Sequence, residues 1–297
     1  RHIVFEAGHL FLAARDEPRA GGGADPALGQ IGRVGLAALR GLRAAVRAVA
    51  REEIMPRFLQ VVREHKSDGS VLTAADLAAQ HFLARALRDI ADLPTIGEEM
   101  PEADQRAALA AGDEGLWCFD PVDGSTNFLV GLPYFAVSVA LIRRGRAVLG
   151  VTYAPIADEM FTATLGGGAR LNGETLPLRT PEPLLAKSVA LVDLKRLPPA
   201  LAATLASHSP YYSQRNFGAS VLEWCYLAAG RADLLLHGGQ LLWDYSAGAL
   251  LLREAGGAAS TLDDDDFDDA PPWRRSVVAA LDPKVQDQWR DWVRQHR

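Results

Sequence analysis

The chain has 297 residues, a formal net charge of −6, 48 % apolar and 23 % charged residues. That length fits one large domain or two moderate ones, and the composition excludes disorder throughout. No apolar run approaches the ~18 residues of a spanning helix, and the acidic balance excludes a broad nucleic-acid surface. One small anionic ligand, held locally or through a metal, remains compatible.

The first 30 residues are read as an extension outside the fold. His2 to Ala14 lacks the basic start and apolar core of a signal peptide, and Gly21-Gly22-Gly23 reads as a flexible joint. From Ile31 to Phe58 the period is helical. Leu39, Leu42, Val46 and Val49 share one stripe, with Arg40, Arg43, Arg47 and Arg51 elsewhere on the wheel. Pro56 ends or kinks that helix. Lys66-Ser67-Asp68-Gly69-Ser70 is a loop, and Thr73 caps a second helix from about Ala74 to Ile90. Pro94 to Ile96 is a short strand leading into Gly97-Glu98-Glu99. Residues 101–115 read as a polar, Ala-rich surface excursion.

Strands follow at Leu116–Phe119, Phe135–Ile142, Ala147–Tyr153 and Met160–Thr164. Hairpin turns are expected at Arg143–Arg146 and at Asn172-Gly173. After residues 178–186 the pattern changes. Strands at Ser188–Val192, Ala232–Leu236 and Ser276–Ala280 alternate with helices at Pro199–Ala206, Ser220–Ala229, Asp244–Ala255 and Pro283–Arg294. The acidic run Asp263–Asp266 with Asp268 and Asp269 reads as a solvated loop. The expected class is therefore α+β passing into α/β, with an antiparallel sheet over residues 31–182 and a mixed sheet over 183–297. Only Lys66, Lys187, Lys195 and Lys284 are lysines among 31 basic residues, which with abundant Ala reads as a GC-rich bacterial genome. Cys118 and Cys225 are too few for a disulfide framework and fit a reducing cytoplasm.

The densest chemistry lies at Asp120-Pro121-Val122-Asp123-Gly124-Ser125-Thr126-Asn127-Phe128. Asp120 ends a strand, Pro121 stiffens the corner, and both carboxylates with the Val122 carbonyl can converge on one point. Gly124 permits close backbone approach, and the N–H groups that follow can bind phosphate. Carboxylates beside free N–H groups suit Mg²⁺ bridging a phosphate. The competing reading is that Asp120 and Asp123 only cap a turn. Glu98 and Glu99 either add carboxylates or form an exposed turn. Asp244 after Trp243 either joins the site or caps a helix. Asp76 fits a capping box with Thr73, and Lys66 either delivers a cation or sits in a solvated loop.

Taken in order, these segments resemble the inositol monophosphatase family. The resemblance covers about residues 33 to 296. Asp120–Phe128 is similar to the family's first motif, with Ser125 where Thr is usual, and Trp243–Gly248 through Glu254-Ala255-Gly256-Gly257 to its second. Gly97-Glu98-Glu99 and Val71–Asp76 match two flanking motifs. The resemblance implies a layered α-β-α-β-α sugar-phosphatase fold and a Mg²⁺-dependent hydrolase, with two or three ions per site and Mn²⁺ as a substitute. It implies that Glu98, Asp120 and the Val122 carbonyl hold one ion and that Asp120, Asp123 and Asp244 hold a second, with Glu98 and water offering a weaker third. Gly124 and Ser125 would give N–H groups to the phosphate, and Ser125, bonded to Asp76, would orient the attacking water. Glu98, Ser125 and Asp76 are thus the implied catalytic residues. Substrate would be bound by Asp123, Gly124, Ser125, Asp244, Gly218, Ala219, Ser220 and the position of His237.

Departures bear on substrate. Members that prefer inositol phosphates carry Glu seven positions before the second-motif Asp, and here that position is His237. It is read either as a contact for a second anionic group or as an ordinary loop histidine. Ala219 lacks the hydroxyl of some relatives, and Arg215 is either structural or near a partner chain. The family further implies Li⁺ sensitivity, a homodimer, a cytoplasmic enzyme and a small phosphorylated metabolite as substrate, with no membrane or direct nucleic-acid partner. Nucleotide-bisphosphate, histidinol-phosphate and fructose-1,6-bisphosphate phosphatases share these motifs. One bacterial branch works instead through protein contacts in transcription antitermination.

Overall fold

The structure, a computed structural model, describes residues 26–60, 64–65 and 71–297. The loop Lys66–Ser70 and most of the N-terminal extension lie outside the described residues. Helix α1 (Pro26–Val49) starts at Pro26 rather than Ile31. Leu42, Val46 and Val49 are buried along one stripe, while Arg40, Arg43, Arg47 and Arg51 are exposed. It widens into a π-turn (Ala50–Ile54) and tightens into a 3₁₀ turn (Met55–Arg57), where Pro56 has no N–H to continue the ladder.

A small antiparallel pair, β1 (Glu64–His65) and β2 (Val71–Leu72), precedes α2 (Ala74–Ile90) and β3 (Thr95–Gly97). The expected surface excursion is instead helix α3 (Glu102–Ala111). Its Ala-rich sequence is a good helix former, and its one fully buried residue, Gln105, is polar, with only Ala108 and Leu109 packed part-buried on the core, too short a stripe to read. Then come β4 (Leu116–Asp123), α4 (Ser125–Val130), β5 (Ala136–Arg143), β6 (Arg146–Ala154), β7 (Glu159–Thr164), β8 (Gly168–Leu171) and β9 (Glu174–Thr175). Strands β3 to β9 form a seven-stranded sheet in chain order, antiparallel except for the β3–β4 pair. The hairpins turn at Arg144-Gly145 (φ 48° and 74°) and Asn172-Gly173 (φ 49° and 96°), the left-handed pairs that match strand twist.

The second half runs β10 (Val189–Val192), α5 (Pro199–Ser207), β11 (Ser213–Arg215), α6 (Ser220–Ala228), β12 (Leu234–Leu241), α7 (Leu242–Glu254), β13 (Ala258–Ser260), β14 (Arg274–Ala280) and α8 (Pro283–Gln295). These strands form a mixed sheet in the order β11-β10-β12-β14-β13. Strands β11 and β13 were not expected, and β12 runs on to Leu241 rather than stopping at Leu236. The acidic run is not merely solvated. Asp268 takes Arg253, Arg275 and Arg146, while Asp265 and Asp263 take Arg294 and Arg297.

Period-two alternation builds the layers. Trp117 and Phe119 face one way, into a core with Leu42, Val46, Leu83 and Leu87 of α1 and α2. Cys118 and Ala140 face the other, into a core with Trp224, Leu227 and Leu252 of α6 and α7 and with Leu235 and Val277 of the second sheet. Leu234, Leu236 and Val278 turn outward onto α5 and α8, against Leu201, Leu205 and Trp289. Five layers result, α-β-α-β-α, as each sheet needs cover on both apolar faces. Among the described residues no helix is long and apolar enough to cross a membrane.

Candidate active site

The first two acids are brought together by strand register. Strands β3 and β4 are parallel, with Gly97 opposite Phe119. Glu98 and Asp120, each the next residue, therefore leave the sheet side by side. Strand β4 is irregular between Asp120 and Asp123. There Pro121 interrupts the ladder and Val122 N–H donates to Asp120 Oδ1 (3.0 Å). The bulge aims both carboxylates out of the sheet.

Helix starts supply the others. Thr73 caps α2, and Asp76 at N3 accepts from Thr73 N–H (2.7 Å) and Thr73 Oγ1 (2.5 Å). Asp76 also faces Ser125, whose Oγ lies 3.0 Å from Asp76 Oδ1 and 3.0 Å from the Val122 carbonyl. One carboxylate therefore serves both the capping box and the contact with Ser125. Asp244 at N3 of α7 accepts from Leu241 N–H (2.8 Å), and Val221 N–H in the first turn of α6 donates to Asp123 Oδ2 (2.7 Å). Three helix starts, of α2, α6 and α7, thus point their N–H groups at acids, which the helix dipole favours.

Burial and mutual repulsion act on these acids together. Asp120 is held well above the usual carboxylate range, first by burial and then by Glu98, Asp123, Asp244 and Asp76. Asp123 is raised by burial, Asp244, Glu98 and Glu223, against the Val221 N–H. Burial also raises Asp76, against its bonds from Thr73 and Ser125. Among the described residues, the charges that act most on Asp120 are all acidic, a setting that a bound cation would stabilise. Among the described residues no group of three or more His, Cys, Asp or Glu side chains lies close enough together to hold a metal ion. The donor set, carboxylates and one carbonyl, fits Mg²⁺ or Mn²⁺.

Gly124 has φ +86°, and a Cβ there would meet the Tyr134 carbonyl at 2.8 Å and Ala219 Cβ at 3.2 Å. The 217–220 segment thus packs directly on the Gly124 turn. Asn127 ties the two, donating from Nδ2 to the carbonyls of Tyr134 (2.8 Å) and Phe217 (2.7 Å). Gly218 (φ +71°), Ala219 and Ser220 lead into α6. Buried Glu223 accepts from Phe217 N–H (2.9 Å), and burial lifts it to about 7. His237 is not a loop residue. It is buried on β12, 3.7 Å from Asp193, with Gly239 N–H donating to its Nδ1 (3.1 Å). Burial, with help from Arg196 and Arg274, lowers it to about 4 against the pull of Asp193. Among the described residues, the charges that act most on it are Asp193, Arg196 and Arg274. Arg215 is exposed and bonds Ser213 Oγ within its own strand. Sequence reading missed Gln105, Asn127's cross-link and Glu223; only the buried polar type within a helical stretch hinted at Glu223.

Ser125→Ala removes the one hydroxyl between Asp76 and the Val122 carbonyl. Turnover is expected to fall about a hundredfold, with Mg²⁺ dependence nearly unchanged. A steady-state titration with Mg²⁺ checks this, and an unchanged rate removes the water-orienting role.

The comparisons agree with this geometry. The model of the inositol monophosphatase family matches residues 35–296. The Nus factor SuhB of Escherichia coli K12 is 33 % identical over 230 residues, covering 73 % of this chain and 81 % of its own. An inositol-1-monophosphatase of Mesorhizobium japonicum is 34 % identical over 205 residues, covering 64 % of this chain and 71 % of its own. The crystal structure of the extragenic suppressor protein suhB from Bartonella henselae superposes with a TM-score of 0.74 at 26 % identity, over 88 % of this chain and all of that one. With the layered fold, the paired-strand acids and a family match spanning nearly every described residue, this chain belongs to the inositol monophosphatase family.

Proposed function

We propose that the chain is a Mg²⁺-dependent phosphomonoesterase acting on a small phosphorylated metabolite. The observation that supports this most is the set of acids around Asp120, where Glu98, Asp123, Asp244 and Asp76 are the strongest charges acting on it among the described residues. Glu98, Asp120, the Val122 carbonyl, Asp123 and Asp244 would hold Mg²⁺, which when bound neutralises phosphate charge and acidifies water. Ser125 Oγ carries one hydrogen and has two acceptors. When it donates to Asp76, its oxygen can accept a hydrogen bond from water, and a proton taken from that water would be passed on to the Asp76 carboxylate. Backbone N–H groups of Gly124 and Ser125 would hold the phosphate oxygens, and Asp123, Asp244 and the 218–220 segment would line the substrate. Mn²⁺ substitution, Li⁺ inhibition, a homodimer and a cytoplasmic setting belong to the same reading.

The test is phosphate release with Mg²⁺ from inositol 1-phosphate, 3′-phosphoadenosine 5′-phosphate, fructose 1,6-bisphosphate, histidinol phosphate and glycerol 2-phosphate, with EDTA and Li⁺ controls. One substrate far ahead, lost in EDTA, supports the proposal. Metal-independent release, or none from any substrate, overturns it.

His237→Glu bears on the substrate. If this position selects substrate, inositol 1-phosphate turnover rises about tenfold over the wild type. Because His237 is buried beside Asp193, an added carboxylate also costs stability. Thermal melts beside the kinetics separate the two effects, and no gain in a folded variant places selectivity elsewhere.

A protein-contact role is the second reading, favoured by the relatives named Nus factor SuhB. Co-purification with RNA polymerase and its elongation factors, undiminished in Asp120→Asn, would support it.

A further inference from the structure

Among the proposed ion ligands, Asp120, Val122 and Asp123 lie on β4 and Asp244 on α7, whereas Glu98 lies in the turn after β3. A strand or helix holds its own backbone; a turn residue needs other partners. Gln105 and Met100 both bond this turn. Gln105 Nε2 of α3 donates to the Gly97 carbonyl (2.8 Å) and to the Glu98 carbonyl (3.1 Å). Gln105 is only 4 % exposed, so water does not compete for either bond. Met100 closes the same turn through its N–H to the Gly97 carbonyl (3.2 Å) and its Sδ to Gly97 N–H (3.2 Å).

The opposite side is closed by Gln80, one helical turn after Asp76 on α2. Its amide lies against Gly97, where a Cβ would come within 2.4 Å of Oε1 and 2.6 Å of Nε2. Gln80 is 6 % exposed, and its Oε1 has no hydrogen-bond partner among the described residues. An apolar residue of equal size would fill the place of Gln80 without leaving a buried polar atom unmet. The two amides make sense together as a clamp on one turn. Helices α2 and α3 press it between them, and α2 also carries Asp76.

We infer that Gln105 is a positioning residue for Glu98, with Gln80 as the surface against which the turn is held, and that the pair sets the site's affinity for its divalent cation without touching it. This rests on the metal-dependent reading above. Residues that orient metal ligands typically change affinity about 10- to 100-fold when lost.

The experiment is a Mn²⁺ titration of the full chain followed by electron paramagnetic resonance, for wild type and Gln105→Met. Melts in EDTA and the Mg²⁺ concentration for half-maximal hydrolysis are measured in parallel. Gln105→Met keeps the volume and loses the donor. It is expected to bind Mn²⁺ about tenfold more weakly and to raise the Mg²⁺ requirement by the same factor, while saturating Mg²⁺ restores most of kcat. A lower melting point with wild-type Mn²⁺ affinity means Gln105 serves only α3, and overturns the inference. If Gln105→Met does not fold, Gln105→Glu, of equal size and unable to donate when ionised, is read in the same titration. Wild-type protein that binds no Mn²⁺ overturns the metal reading as well, whereas wild-type binding matched by the variants removes only the clamp.

Discussion

Asp120→Asn is expected to cut Mg²⁺-dependent phosphate release at least about a thousandfold, while leaving the metal-free protein folded and more stable than the wild type. The activity loss follows from the proposed double role of Asp120, as a ligand to both ions that neutralise phosphate charge. The gain in stability follows from the charge pattern. Asp120 is 1 % exposed and pressed by Glu98, Asp123, Asp244 and Asp76. Removing one buried negative charge from such a group relieves both desolvation and repulsion. Asn keeps the acceptor for Val122 N–H, and its new N–H groups find carboxylates beside them. Melts in EDTA should therefore rise by about 1 kcal/mol or more of stability, and added Mg²⁺ should stabilise wild type but not the variant. Residual turnover above a few per cent would remove the two-ion proposal. A lower melting point in EDTA would show that the acids do not strain the metal-free fold.

The second large effect is structural and lies inside the second motif. Gly248→Ala should cost about 3 kcal/mol, the upper end for overpacking a filled core. A Cβ at Gly248 would stand 2.3 Å from Trp224 Cβ and 2.4 Å from its Cγ. Trp224 is fully buried and donates from Nε1 to Gln240 Oε1 at 2.7 Å, so it cannot swing aside. Helices α6 and α7 must then part. The first supplies the Val221 N–H to Asp123 and the second carries Asp244, so Mg²⁺ affinity should fall with stability. Denaturant unfolding and a Mg²⁺ titration check both. Shortening Trp224 to Leu should not rescue the variant, because its Cβ remains. A midpoint within error of wild type would mean that the helix pair is loosely packed.

The core helices were legible because their apolar stripes are local. Leu42, Val46 and Val49 of α1, and the capped start of α2 at Thr73, needed no knowledge of distant residues. The hairpins at Arg144-Gly145 and Asn172-Gly173 were legible for the same reason, since their left-handed turns are dictated by two residues. Helix α3 was not, because it buries Gln105 and almost nothing apolar. Strands β11 and β13 are three-residue edges whose only reason to extend is the neighbour they pair with. His237 was open between a substrate contact and a loop histidine, because the strand was expected to end at Leu236 and Gly238-Gly239 follow. In the sheet those glycines form an irregularity against β14, where a Cβ at Gly238 would stand 1.8 Å from the Arg196 carbonyl.

By itself the sequence determined the inventory of the site: oxygen-bearing side chains, one glycine that lets backbone come close, and a hydroxyl beside them. Those are properties of residue type and short spacing, and the chain's family membership follows from the same order of motifs. Only the tertiary structure decided that Glu98 and Asp120 leave adjacent parallel strands in register, that Asp76 caps a helix and meets Ser125 with one carboxylate, and that His237 is buried on a strand beside Asp193. It also decided that a glutamine on an unexpected helix holds the Glu98 turn. Each of these depends on pairing between segments far apart in the chain, where burial strengthens charges and hydrogen bonds, and no local pattern encodes which partner will be there.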